Sequence, residues 1–584
     1  MKKQIDVKAN ESWDLDNIYP SFHVWLTDYK RIENLINNFS SYQKKVAKNL
    51  FEVITELLAI EKQLDKLVMY SKLKYDLNCL NDENNSCYNK IQSIMDLFNY
   101  KTDFVIIEII KMSDSALLEL YKKDLRLLPY QFLINKKRMN KKHYLSLKEE
   151  NILSLSDNIR NTQDRIFDKL NDADVNFGMI NNIELTHGNY HNFITDNDQN
   201  NRKLAFEMYH QYYQNHSNTL SECLISQVKN NIFESKIRKF SSPLAMHLNP
   251  DQVSINTYDN IIKSVHNNLN LLQDYMQIKK DALKLDGLNM YDIYVPLNSP
   301  NEKTYSYEEA KSMVLNSLKP MGDEFMSIAA SGLNDNWVDV YPAKGKKSGA
   351  YSTGSYDTKP YILMNFNNSF RSIETLAHEL GHSMHSYFSN NNQPYQYCDY
   401  SIFLAEIASN THELLLFDYI KKQSESNKEK KYIIELILDS FKASIFRQTQ
   451  FAEFEKIIHD HEQDNKVLTN QTITDIYFEL NKLYYGPVVN QNEQIRYESL
   501  RIPHFYRSFY VYKYAIGLAI AHIFAKNIID NKPEAVENYL TLITAGDSKY
   551  PLEVLKDAKI NIENVIDDAL NIMHSYLEEY KKLN

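Results

Sequence analysis

Two histidines four residues apart with a glutamate after the first, His378-Glu379-Leu380-Gly381-His382, are the residues of this chain best suited to chemistry. On an α-helix, positions i and i+4 lie about 40° apart and one turn up, so both imidazoles can reach one Zn2+ at about 2.0 to 2.1 Å. Glu379 lies beside that face, where it can take a proton from a water at the ion without ligating the metal. With 17 His and 76 acidic residues among 584, chance supplies fewer than about 0.07 such matches, so the element reads as a metal site.

The flanking residues put the motif inside a helix. Asn367, Asn368 and Ser369 are N-cap candidates, Asn390 to Pro394 end the segment, and an apolar stripe runs through Ile373, Ala377, Leu380, Met384 and Tyr387. His385 falls near the same face but about 10.5 Å beyond His378 along the axis, too far for three imidazoles in line to converge on one tetrahedral ion. It reads as a core histidine or one that supports a ligand. The third ligand must come from another element, and Glu406, in Ile402-Phe403-Leu404-Ala405-Glu406-Ile407-Ala408, is the best candidate, because a carboxylate in so apolar a helix is costly to bury unless paired or metal-bound. Ser409, Asn410 and Glu413 share its face, and Glu413 joins His385 as a candidate to support the ligands. Two histidines, one carboxylate and a water make an open, catalytic site.

Composition says what must carry this site. Glycine and proline number only 12 and 14 of 584, about 2% each against the usual ~7% and ~5%, which favours long helices over a many-turned β fold. The net charge is 66 − 76 = −10 with no basic half, which argues against nucleic acid as a partner. Lys2 and Lys3 have no apolar run behind them, and the apolar stretch Ala515 to Ala521 is far short of the ~18 residues a spanning helix needs. No membrane partner and a cytoplasmic location are expected. Cys79, Cys87, Cys223 and Cys398 form no C-x-x-C pair and read as reduced thiols.

From Tyr42 to about Asp196, apolar residues recur at three- and four-residue steps, as in Leu57, Leu58, Ile60, Leu64, Leu67 and Val68, so this half reads as all-α. Polar clusters at His187 to Asn189 and Asp196 to Asn201 suggest a boundary, giving an N-terminal helical domain over 1–190 and a catalytic domain over 191–584. Strand-like islands occur at Met290 to Val295, at Trp337 to Tyr341 and between Gly349 and Phe366, with Tyr361 to Met364 inside the last. One small sheet ahead of the motif helix is expected.

HELGHSMHS followed by FLAEIASNTHE resembles the M3 family of zinc metallopeptidases, and within it the oligoendopeptidase F group. WDLDNIYPS, KIRKFSSPL, WVDVYPAKGKKSGAYSTGSYDTKPYILMNF and RIPHFYRSFYVYKYAIG extend the likeness from about residue 10 to 570. The resemblance implies a mainly α, bowl- or clam-shaped fold with a small sheet beside a deep catalytic cleft, one catalytic zinc, and endoproteolysis of short unfolded peptides. It implies His378, His382 and Glu406 as ligands and Glu379 as base. It places Gly349, Ala350 and Tyr351 on a substrate-binding edge and makes His504, Tyr510 and Tyr512 donors to the developing oxyanion. An exopeptidase on the same fold and an inactive peptide-binding scaffold are the rival readings.

Overall fold

A computed structural model describes residues 11–298 and 303–583; the first ten residues, including the lysine pair read for a leader, lie outside them. The scarcity of breakers shows in uninterrupted helices such as Leu50–Leu77 and Asp82–Thr102. Spacing gives each its inner face: in Phe22–Phe39, Trp25, Tyr29, Ile32, Ile36 and Phe39 are buried, and Ser21 caps the start by accepting from the Val24 amide. None of the helices described is long and apolar enough to cross a membrane. All four cysteines are free.

The chain forms two compact units, each assembled from separated stretches. Unit 1 takes residues 11–142, 303–420 and 524–559; unit 2 takes 143–298, 421–523 and 560–583. In unit 1 a three-stranded sheet runs in the order Val338–Asp339, Tyr361–Leu363, Tyr351–Thr353, the middle strand parallel to the first and antiparallel to the last. Tyr361 and Leu363 join the core of the N-terminal helices. Trp13 pins that core to the sheet by donating from Nε1 to the carbonyls of Trp337 and Ile362, both at 3.0 Å.

Three expectations need correction. Met290 to Val295 is a run of turns, with strand only at Leu288–Asn289, paired parallel to Val489–Asn490. The apolar residues there are buried, as expected of a strand, but Asp292 folds the segment back: its Oδ2 accepts from the Asn289 amide and its Oδ1 from Arg202. The N-terminal half is not wholly helical, since Met179–Ile180 and Ile183–Glu184 form a hairpin across Asn181 and Asn182, both at positive φ. His187 to Asn189 opens a helix, His187–Ile194, through a Thr186 and Asn189 capping box. The described residues thus carry three small sheets, not one.

Among the described residues of unit 2 are several buried ion pairs, Asp251 with Lys513 one of them. Arg202 pairs with Asp292. Lys279 and Lys442 meet Glu435 and Asp439. Arg447 and Arg501 share Glu498.

Candidate metal centre and catalytic residues

The motif helix, Phe370–Asn392, starts at Ser369, whose side chain accepts from the Ser372 amide, with the Asn367 side chain accepting from both serine hydroxyls. Ile373, Ala377, Leu380 and Met384 fix its inner face, as the stripe predicts. The second helix, Ile402–Gln423, crosses it at Gly381, where an added Cβ would lie 2.6 Å from Ser409 Cα and 2.8 Å from the Ala408 carbonyl oxygen. Only glycine lets the two backbones come this close, and the approach brings the next turn of the second helix, with Glu406, over the two histidines.

Glu406 Oε2 lies 3.5 Å from His378 Nε2 and 3.6 Å from His382 Nε2. One donor atom from each of the three falls within 4.8 Å of the others. Ligands about 2.1 Å from a tetrahedral ion stand about 3.4 Å apart, so the Glu406 spacings suit one ion, and the N₂O donor set suits zinc. Glu406 is 40% exposed, so spacing rather than burial marks it as a ligand candidate.

Both histidines are held from behind. His378 Nδ1 is 2.6 Å from Glu413 Oε1, which leaves Nε2 facing Glu406, and His382 donates to the Ala405 carbonyl. Burial lowers the pKa of the His378 ring, but the Glu413 bond and the charges of Glu379 and Glu406 outweigh it and raise the ring above its usual value; burial and charged His378 push His382 down. Because Glu413 fixes the ring and its tautomer, Glu413→Ala is expected to weaken metal binding about 10- to 100-fold in competition with a chromogenic chelator. Unchanged affinity would show that the ring needs no such support.

Glu379 is buried outside this triad. Burial drives its carboxyl up to about 7, against the opposing pull of His378 and a hydrogen bond from the Ser352 amide. His385 is fully buried, stacked on Tyr400 at 3.6 Å between ring centres, and is not among the three grouped donors. The spacing did not single out His412, on the same helix as Glu406 but on another face, which is equally buried with both ring nitrogens unpartnered.

The Gly349 to Ser352 segment leads into the edge strand of the sheet. The Gly349 carbonyl accepts from Asn365, the Tyr351 hydroxyl donates to Asp76 at 2.6 Å, and Ser352 links to the motif helix through Ser383 as well as Glu379. Ala350 is half-buried between them.

In unit 2, His504 Nδ1 bonds the Tyr510 hydroxyl, and Tyr514 packs on both rings, 6.4 Å from His504 and 5.7 Å from Tyr510 between centres. Tyr512 lies elsewhere: it is 1% exposed and packs edge-on against Tyr258. Tyr510 lies in the turn just ahead of the helix Tyr512–Ile529, and Tyr514 lies in that helix's first turn. Sequence reasoning passed over Tyr514, and no helical spacing signals it because Tyr510 lies outside the helix.

A family model described as Peptidase family M3 matches residues 192–570, and one described as Oligopeptidase F matches 108–177. The chain belongs to peptidase family M3. Its place in the oligoendopeptidase F group follows from relatives along its whole length. Oligopeptidase PepF of Bacillus subtilis (strain 168) is 36% identical over 99% of this chain and 88% of its own. An oligoendopeptidase F homolog of Borreliella burgdorferi is 37% identical over 99% of both. Among solved structures, oligoendopeptidase-F from Enterococcus faecium superimposes with a TM-score of 0.72 at 30% identity, covering 98% of this chain and 99% of that one. As an M3 peptidase of this group the protein is a metalloendopeptidase, and the M3 match takes in every candidate residue from Gly349 to Tyr514.

Proposed function

We propose that this M3 peptidase is a zinc-dependent oligoendopeptidase of the cytoplasm, hydrolysing internal bonds of short, unfolded peptides. The observation that carries the reading is the convergence of His378, His382 and Glu406, with Glu379 buried beside them on the same helix. These three residues would hold the zinc. Bound there, the ion supplies Lewis acidity, which makes a water acidic at neutral pH and polarises a peptide carbonyl.

The protein's own groups do the rest. Glu379 accepts the proton of the attacking water and delivers it to the amine nitrogen as the peptide bond breaks. The Ser352 amide steadies that carboxylate, which supports a role for the Gly349-Ala350-Tyr351 edge in laying an extended peptide beside it. His504 and Tyr510 act as hydrogen-bond donors to the developing oxyanion, with Tyr514 rather than Tyr512 as the tyrosine packed on them. The division at residue 190 belongs to this reading as a division of function, with 191–584 carrying the chemistry.

The test is hydrolysis of an internally quenched peptide blocked at both ends. Chelation is expected to abolish cleavage, and stoichiometric Zn2+ to restore it at an internal bond. Cleavage that survives full metal removal, or release of single residues from an unblocked end only, would overturn the proposal.

A further inference from the structure

Next to Tyr510 in the chain is a residue whose backbone is out of keeping with its side chain. Phe509 has φ 59°, in the left-handed region where the Cβ of an L residue crowds the following carbonyl oxygen and a bulky side chain is an outlier. Such a backbone persists only where its surroundings over-determine it, and residues held this way gather at functional sites.

The chain has a reason to bend there. His504 and Tyr510 are six residues apart, and an extended stretch of that length would separate them by about 20 Å. Yet the Tyr510 hydroxyl meets His504 Nδ1. Phe509 lies in the bend just before Tyr510, between the turn Pro503–Tyr506 and the helix Tyr512–Ile529.

Three contacts within unit 2 hold this bend. Glu455, from the helix Arg447–Gln463, is buried, and its Oε1 accepts from the Phe509 amide at 2.8 Å. Burial drives that carboxyl up to about 8, against the pull of the amide bond, so near neutral pH the acceptor is an uncharged acid. One residue earlier, Ser508 Oγ accepts from Asn231 Nδ2 at 2.6 Å. Asn231 is itself fixed: the same nitrogen donates to His459 Nε2 at 3.0 Å, and its Oδ1 accepts from Gln227, which accepts in turn from Gln163. His459, kept neutral by burial, donates from Nδ1 to the Glu455 carbonyl and ties the two grips together. The buried Phe509 ring packs 4.6 Å from His459 and 5.7 Å from His247 between ring centres. A connected polar network in a buried setting makes a rigid mount. An apolar side chain at 455 would be buried at less cost, so what the carboxyl adds is the acceptor for Phe509.

We propose that Glu455 is a positioning residue: with Asn231 gripping Ser508, it holds the Phe509 amide and so fixes the left-handed bend that returns the Tyr510 hydroxyl to His504. The inference rests on the reading of His504 and Tyr510 as donors to the oxyanion, and it names what keeps them in place. Donors of this kind act only if they are preset where charge develops, so a loosened bend forfeits part of what deleting a donor would.

Two variants at residue 455 test it on the blocked quenched peptide. Glu455→Gln keeps the shape and a carbonyl acceptor without charge; Glu455→Met keeps the volume but leaves the Phe509 amide buried without a partner. Relative to wild type, kcat is expected within about twofold in Glu455→Gln and about tenfold lower in Glu455→Met, with KM and zinc content unchanged in both, because the loss falls on the transition state. In a His504→Ala background, Glu455→Met should cost nothing further. Wild-type kcat in Glu455→Met, an equal loss in both variants, or a tenfold loss that persists without His504 overturns the proposal. If Glu455→Met does not fold, Ser508→Ala decides in its place, since it releases only the grip of Asn231. There, kcat about threefold lower at constant KM, and again no loss without His504, supports the proposal, and unchanged kcat overturns it. A crippled His504→Ala beside an unimpaired Glu455→Met removes this inference alone, whereas full kcat in His504→Ala removes the oxyanion reading and this inference with it.

Discussion

Replacing Glu379 by Gln is expected to cut kcat by about two to four orders of magnitude while zinc content stays at one per chain. The two effects separate because Glu379 is not one of the three grouped donors. Glutamine has the same shape, can still accept from the Ser352 amide, and removes no volume from the core. What it cannot do is carry a proton from water to the leaving nitrogen. Stopped assays on the quenched peptide, with metal analysis of the same sample, check both halves. Turnover within a few-fold of wild type with zinc in place would mean that another group is the base.

A single methyl group at residue 381 is expected to matter nearly as much. In Gly381→Ala the new Cβ meets backbone rather than the tip of a flexible side chain, at 2.6 Å from Ser409 Cα and 2.9 Å from the Ser409 amide nitrogen. Neither helix can absorb that by changing a rotamer, so the two must part, at about 1 to 3 kcal/mol of stability. Glu406 is only three residues before Ser409, and its oxygen stands 3.5 and 3.6 Å from the two imidazoles, so a parting of a few tenths of an ångström degrades all three ligand positions together. Zinc affinity should fall more than tenfold with helical circular dichroism retained. A variant with full affinity and an unchanged melting temperature would show that this close approach does not set the ligand geometry.

The parts of this site that were legible in the sequence are those whose geometry is local. His378 and His382 share a helix face because four residues make about one turn, and no distant contact is needed to place them. Glu406 was found as an ionisable residue among apolar neighbours, yet the structure leaves it 40% exposed, so the inference named the residue for a reason the fold does not supply. Met290 to Val295 has the composition of a strand and the burial of one, but a buried pair with Arg202, some 90 positions earlier, bends it into turns, and no local pattern announces so remote a partner. Tyr514 was not legible, because Tyr510 lies ahead of the helix that carries Tyr514 and no single period spans the two. The two units were not, because each gathers stretches separated by more than a hundred residues.

That interleaving has a consequence for biosynthesis. The last stretch of unit 1, residues 524–559, supplies Tyr539, which packs beside His412 and Phe325, and the Thr544 carbonyl, which receives Gln393 just past the motif helix. A nascent chain emerging from the ribosome has made both helices of the candidate metal centre long before it makes the residues that cover them. Unit 1 lacks its last stretch until residue 559 has been made, so the hydrolytic centre matures only after synthesis has passed that point.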